Sequence, residues 1–106
     1  MKNWMKTFVF TLCLLFSQSI IHAADISVPA DQATIQAAVN AAVANDVIIV
    51  ADGTYTESVD VGMAAGNITI RAANIGMATV NGGTAPAFFA SGHIGDITIV
   101  GFELRS

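Results

Sequence analysis

Few residues in this 106-residue chain could do chemistry. Asp52, Glu57 and Asp60 lie within nine residues of one another, beside an Asp52-Gly53 turn. A calcium site needs about six to eight oxygens at fixed positions. No Asp-x-Asp-x-Asp-Gly loop supplies them, so the three read as solvated turn acids. Glu57 and Asp60 as an acid/base pair would need a set separation and a sugar cleft, and the sequence shows neither. His93 sits in Ser91-Gly92-His93-Ile94-Gly95, a context that suits an exposed turn. No second histidine downstream of residue 23 completes a zinc set, and the glycines lack the lysine and spacing of a phosphate loop. Arg71 reads as paired with a nearby acid, with an acidic-sugar contact as the alternative. Tyr55 reads as packed over the Asp52-Gly53 turn, with sugar stacking as the alternative. Phe88 and Phe89 are adjacent, so a strand sends one inward and one outward. The outward one reads as covered by a loop, with a contact surface as the alternative. No residue is assigned a catalytic, cofactor-binding or metal-binding role, and no cofactor is expected.

The elements that must hold these residues repeat. Asn67-Ile68-Thr69-Ile70-Arg71-Ala72 is echoed by Asp96-Ile97-Thr98-Ile99-Val100-Gly101, 29 residues on. Asp46-Val47-Ile48-Ile49-Val50-Ala51 anticipates it by 21 residues. Each copy is a short polar residue, an alternating aliphatic run and a small residue. Self-similarity at this period points to a stack of strand-bearing repeats. Aligning the copies puts Val47, Ile68 and Ile97 in one inward column and Ile49, Ile70 and Ile99 in another. Ile48, Thr69 and Thr98 then face outward, with Val50, Arg71 and Val100. The same alignment stacks Asp46, Asn67 and Asp96 as a polar ladder, with the asparagine separating two carboxylates.

Ahead of the strands, Ile35, Ala38, Val39, Ala42 and Val43 fall on one face of a helix. Asp31 and Thr34 are its candidate N-caps, and Asn45 its terminator. The spacing predicts a helix over Thr34–Ala44 that covers Val47 and Ile49. Asp25 to Val28 alternates and stops at Pro29, which confines it to an edge or lead-in role. Val59 and Val61 alternate after Glu57, and Ala78 and Val80 alternate between glycine-rich turns.

Residues 1–23 have another character. Lys2 and Lys6 precede an apolar run from Thr7 to Ile21, and Ala23 and Ala24 follow. That order reads as a secretory signal with a cut after Ala23, a cut after Ala24 and an uncleaved membrane anchor being the alternatives. The apolar run is shorter than the ~20 residues of a spanning helix. Cys13 lies within the run as filler, so the mature chain has no disulfide. Its two arginines face eight acids, a net charge of −6. That balance argues against nucleic acid and anionic lipid, which recruit lysine and arginine.

Three stretches resemble the right-handed parallel β-helix, or pectin-lyase-like, superfamily. Thr34-Ile35-Gln36-Ala37-Ala38-Val39 looks like its opening capping helix. Asp52-Gly53-Thr54-Tyr55-Thr56-Glu57 with Val59 and Val61 looks like its "G-T-Y-x-E-x-V-x-V" first coil. Asn67-Ile68-Thr69-Ile70 and Asp96-Ile97-Thr98-Ile99-Val100-Gly101-Phe102 look like its repeated coil strand. The likeness spans residues 26–105. It implies an all-β solenoid, a right-handed parallel β-helix with an N-terminal α-helical cap. Members include pectin methylesterases, polysaccharide lyases and surface proteins without known activity. Their catalytic aspartates and arginines belong to later coils, and nothing here matches those motifs.

The expectation is a signal peptide at 1–23, then a cap and two to three coils at 24–106. The protein would be secreted, periplasmic or at the cell surface. The resemblance implies an acidic polysaccharide as partner, with the active site outside these residues. A non-catalytic surface adhesin or structural solenoid is the alternative. The last coil strand, Ile97 to Leu104, has no cap after it. Residues 24–106 are therefore expected to associate through that end or to remain partly unfolded.

Overall fold

The computed structural model describes residues 24–92 and 95–106. The proposed signal segment with Cys13, and His93 with Ile94, lie outside the described residues. Among the described residues nine short strands form three sheets in which every pairing is parallel, beside one α-helix. Among the described residues no helix is long and apolar enough to cross a membrane.

The strands are β1 (Asp25–Val28), β2 (Val47–Val50), β3 (Gly53–Thr56), β4 (Val59–Asp60) and β5 (Ile68–Ala72). They continue with β6 (Ala78–Asn81), β7 (Phe88–Phe89), β8 (Ile97–Val100) and β9 (Phe102–Arg105). Sheet order is β1-β2-β5-β8, β3-β6-β9 and β4-β7. The chain therefore visits the three sheets in rotation: β2, β3, β4, then β5, β6, β7, then β8, β9. Each strand lies beside its counterpart from the previous circuit. Gly101, at φ +85°, turns the corner between β8 and β9, a left-handed conformation that glycine adopts without a Cβ penalty.

The core runs up the inside of these sheets. Ile48, Ile70, Val28, Val50, Val59 and Val80 are fully buried, with Ala78 and Ile68 beside them. The second and third copies pair as their sequences suggest: Ile68 beside Ile97, Thr69 beside Thr98, Ile70 beside Ile99 and Arg71 beside Val100. The first copy does not. Val47 lies beside Thr69, Ile48 beside Ile70 and Val50 beside Ala72. Ile48 and Val50 therefore point inward, and Val47 and Ile49 are half-buried on the other face. The step from β2 to β5 is 22 residues, where aligning the aspartate and asparagine assumed 21. A one-residue slip moves every side chain to the opposite face. Val47-Ile48-Ile49-Val50 is apolar at all four positions, so its own pattern carries no phase.

The slip breaks the predicted ladder between Asp46 and Asn67, while Asn67 and Asp96 remain neighbours. Asn45, at φ 74°, takes the place beside Asn67, and its N–H donates to the Asn67 carbonyl at 2.6 Å. The Asn67 Oδ1 accepts from the Asp96 N–H at 2.8 Å. Asp46 is buried elsewhere, at the junction of β1 and β2, where its carboxylate accepts from the backbone N–H of Ala24 and of Val43. β1 is an edge strand as Pro29 requires, and it is also a further member of the stack, paired in register with β2.

Helix α1 spans Ile35–Ala41, shorter than the predicted Thr34–Ala44. Thr34 is the N-cap; its Oγ1 accepts from the Ala37 N–H at 3.0 Å. Asp31 instead accepts from the Ser27 N–H. Ile35, Ala38, Val39 and the C-cap Ala42 are buried as the stripe demands. Val43 is 51% exposed, because the helix stops at Ala42 and the chain leaves the helical path with the Val43 N–H bound to Asp46. α1 packs on β1, β2, β4 and the 3₁₀ turn Val61–Met63.

Candidate functional site

The three acids that drew attention in sequence do not converge; Asp52 is exposed on its turn, as expected, while Glu57 and Asp60 are half-buried and bound to other segments. Glu57 follows β3, and its two oxygens accept from the N–H groups of Ile35 and Gln36 at 2.9 and 3.0 Å. A carboxylate there satisfies orphan donors of the first helical turn and complements the positive end of the peptide dipoles. Asp60, on β4, accepts from the N–H of Gly62 and from both the N–H and the Oγ of Ser91. Those hydrogen bonds, the Ser91 hydroxyl first, hold its carboxyl below the ordinary aspartate range. Asp52 accepts from the Asn74 side-chain amide at 3.0 Å. Each acid therefore ties a different pair of segments together. Among the described residues no three His, Cys, Asp or Glu side chains gather where a metal could sit.

Tyr55 packs against the core, and its hydroxyl donates to the Ala51 carbonyl at 2.9 Å, arching over the Asp52-Gly53 turn. Burial raises its pKa, and Asp52 and Glu57 add to the effect. Phe88 turns inward beneath Val59 and stacks obliquely on Phe102, ring centres 5.8 Å apart. Phe89 faces out.

Arg71 departs from its expected pairing. It lies on the outer face of β5, between Ile49 on β2 and Val100 on β8. Among the described residues the salt bridge is Arg105–Glu103, and Arg71 contacts no carboxylate. Its Nη1 reaches only the Ala72 carbonyl, at 3.5 Å. Beside it Ala72, Ala73, Ile75, Val100 and Gly101 line a half-open, mainly apolar hollow of about 370 Å³. Ile75 is 87% exposed at its rim. A second hollow of about 290 Å³ lies where the strands of the largest sheet begin, lined by Asn45, Asn67, Thr69, Asp96 and Thr98. The first sets a lone guanidinium over aliphatic groups. The second offers uncharged oxygens and one carboxylate.

Sequence reasoning missed the polar residues that close the helix-bearing end. Gln36 Oε1 accepts from the Asp60 N–H at 2.7 Å, and its Nε2 donates to the Asp60 carbonyl. The side-chain amide thus occupies the edge of β4 as a neighbouring strand would. Its only signal in the sequence was a position off the apolar stripe. No family model, curated protein or solved structure matches this chain.

Proposed function

We propose that residues 24–106 are the capped N-terminal end of an exported right-handed parallel β-helix that engages acidic polysaccharide. In the pectinesterase- or lyase-like arrangement that the sequence resembles, the catalytic groups lie outside these residues. The rotation of the chain through three parallel sheets, with α1 over the first circuit, supports the fold reading.

Arg71 carries the carbohydrate reading. A uronate presents a carboxylate beside a C–H face, and an unpaired guanidinium over Ile75 and Val100 suits both. With a net charge of −6 on residues 24–106, an anionic polymer is repelled from most of the surface. Contact therefore concentrates at this strip and weakens with salt.

Calorimetric titration of the chain with polygalacturonate and with a neutral glucan tests this. The expected result is weak, salt-sensitive binding of polygalacturonate alone, lost in Arg71→Gln and kept in Arg105→Gln. Equal binding of the neutral polymer, or indifference to Arg71→Gln, refutes it. The separate structural duties of Asp52, Glu57 and Asp60 favour a second reading, a non-catalytic surface scaffold, and that reading predicts that neither polymer binds.

A further inference from the structure

We infer that hydrolysis of the Ala23–Ala24 peptide bond sets an α-ammonium group against the Asp46 carboxylate, an ion pair that fixes the first strand onto the stack. This rests on the reading of the chain as exported and is independent of the carbohydrate reading. Three observations carry it. The first is a buried charge. Asp46 is 4% exposed, yet its two oxygens meet only backbone N–H groups, those of Ala24 at 3.0 Å and Val43 at 2.9 Å. Among the described residues the salt bridge is Arg105–Glu103, and no cationic side chain reaches Asp46. A carboxylate taken out of water costs most when no opposite charge accompanies it.

The second observation is position. The nitrogen that meets Asp46 Oδ1 is the one that a cut after Ala23 frees. In that hydrolysis the water oxygen adds to the Ala23 carbonyl carbon, and the signal segment leaves with a carboxylate. The Ala24 nitrogen keeps the bonding electron pair. It takes up both protons of the water, one directly and one by way of the new carboxyl group, and becomes an ammonium. A neutral donor is thereby exchanged for a charged one in place, and the buried carboxylate gains its counter-ion.

The third observation bears on which bond is cut. The Ala24 carbonyl accepts from the Val47 N–H at 2.9 Å, and Asp25 pairs with Val47 at the start of β1. A cut after Ala24 would discard both this acceptor and the nitrogen at Asp46, whereas a cut after Ala23 keeps both. β1 is an edge strand whose Val28 is fully buried. Pinning the chain just ahead of it holds that side chain in the core. The uncut chain lacks the ammonium, so the stack closes fully only once the signal segment has gone.

The test exploits the sequence, because Lys2 and Lys6 both precede the cut. The processed chain therefore has one primary amine, that of Ala24. The 106-residue chain is expressed in an exporting host, and intact mass with N-terminal sequencing reads the cut. Acetylation with N-hydroxysuccinimidyl acetate at pH 7 then probes the amine. The reagent takes the neutral amine, and Asp46 holds it protonated, so the folded chain should react about tenfold more slowly than the chain in urea. Asp46→Asn should lose that protection, and Asp25→Asn, at the exposed neighbouring acid, should keep it. Acetylation in urea followed by refolding restores an uncharged amide at Ala24, as in the uncut chain. It should lower the denaturation midpoint of wild type and leave that of Asp46→Asn unchanged. A chain that starts at Ala24 and reacts equally fast folded and in urea would overturn the proposal and leave the export reading standing. A start at any other residue would overturn it too, and a chain that keeps residues 1–23 would overturn both readings. Equal loss of midpoint in wild type and Asp46→Asn would mean that packing holds Ala24, against the ion pair. Should Asp46→Asn fail to fold, the wild-type rates alone decide.

Discussion

Val80 and Leu104 are neighbours on adjacent strands, and both face the interior. Val80 is fully buried and Leu104 is 52% exposed. The same contrast separates Ile70 from Ile99 and Ile68 from Ile97. At the helix-bearing end the stack is closed, and polar side chains do much of the closing. Glu57 receives the first N–H groups of α1, Gln36 fills the edge of β4, and Asp46 binds the turn into β2. At the β8–β9 end nothing comparable exists among the described residues. In a stack of strands, burial is conferred by the neighbours on either side. Hydrophobicity alone does not confer it.

That contrast can be broken most severely at the helix. Val39 is fully buried under α1. Val39→Asp puts a carboxylate into the apolar seam and should cost about 4 kcal/mol or more. Chemical denaturation of the full chain checks it, and an unchanged midpoint would mean that α1 does not close the stack. Asp46→Ala should come next, at roughly 2–4 kcal/mol, because it strands the N–H groups of Ala24 and Val43 at a buried junction. Asp46→Asn keeps one acceptor and should recover part of the loss. If the two variants denature alike, the carboxylate is not what holds the turn.

These residues also mark what sequence could and could not say. The copies of the strand were legible because a β-branched run flanked by small polar residues is a strong local pattern. Their phase was legible for Ile68-Thr69-Ile70, where threonine separates the two faces. It was illegible for Val47-Ile48-Ile49-Val50, where all four side chains are apolar. The inward face of α1 could be read, but not its end. Alanine through residue 44 favours more helix, and a buried carboxylate draws Val43 away. The duties of Glu57 and Asp60 were hidden because their partners stand 22 and 31 residues distant. The free guanidinium of Arg71 could be read in either register, since Val50 or Ile49 on one side and Val100 on the other carry no charge.

A matched pair of truncations measures the contrast directly. Val80→Ala removes two methyl groups from a closed site and should cost about 2 kcal/mol. Leu104→Ala removes more carbon from the same column, yet at its 52% exposure it should cost only about 0.5 kcal/mol, as surface substitutions do. Equal penalties in chemical denaturation would mean that Leu104 is as well covered as Val80.

The smallest effect lies between the two ends, where Asp60 on the first circuit holds Ser91 after the second. The Asp60 pKa is lowered in the fold by the Ser91 hydroxyl, the Ser91 N–H and the Gly62 N–H. A carboxyl whose folded pKa is depressed stabilises the fold above its unfolded pKa, about 3.9 for aspartate. That stabilisation is lost as pH falls through the folded value. Ser91→Ala deletes the largest of the three contributions and keeps the two N–H donors. It should therefore lower the denaturation midpoint slightly at pH 7, and by progressively less below about pH 4, where wild type loses the same interaction by protonation. Asp60→Asn should show the same convergence with a larger gap at neutral pH, since it weakens all three bonds. Melting curves of the three chains between pH 3 and pH 7 decide it. A gap that stays constant or widens toward acid would show that Ser91 acts through packing, and that this tie between the circuits is not electrostatic.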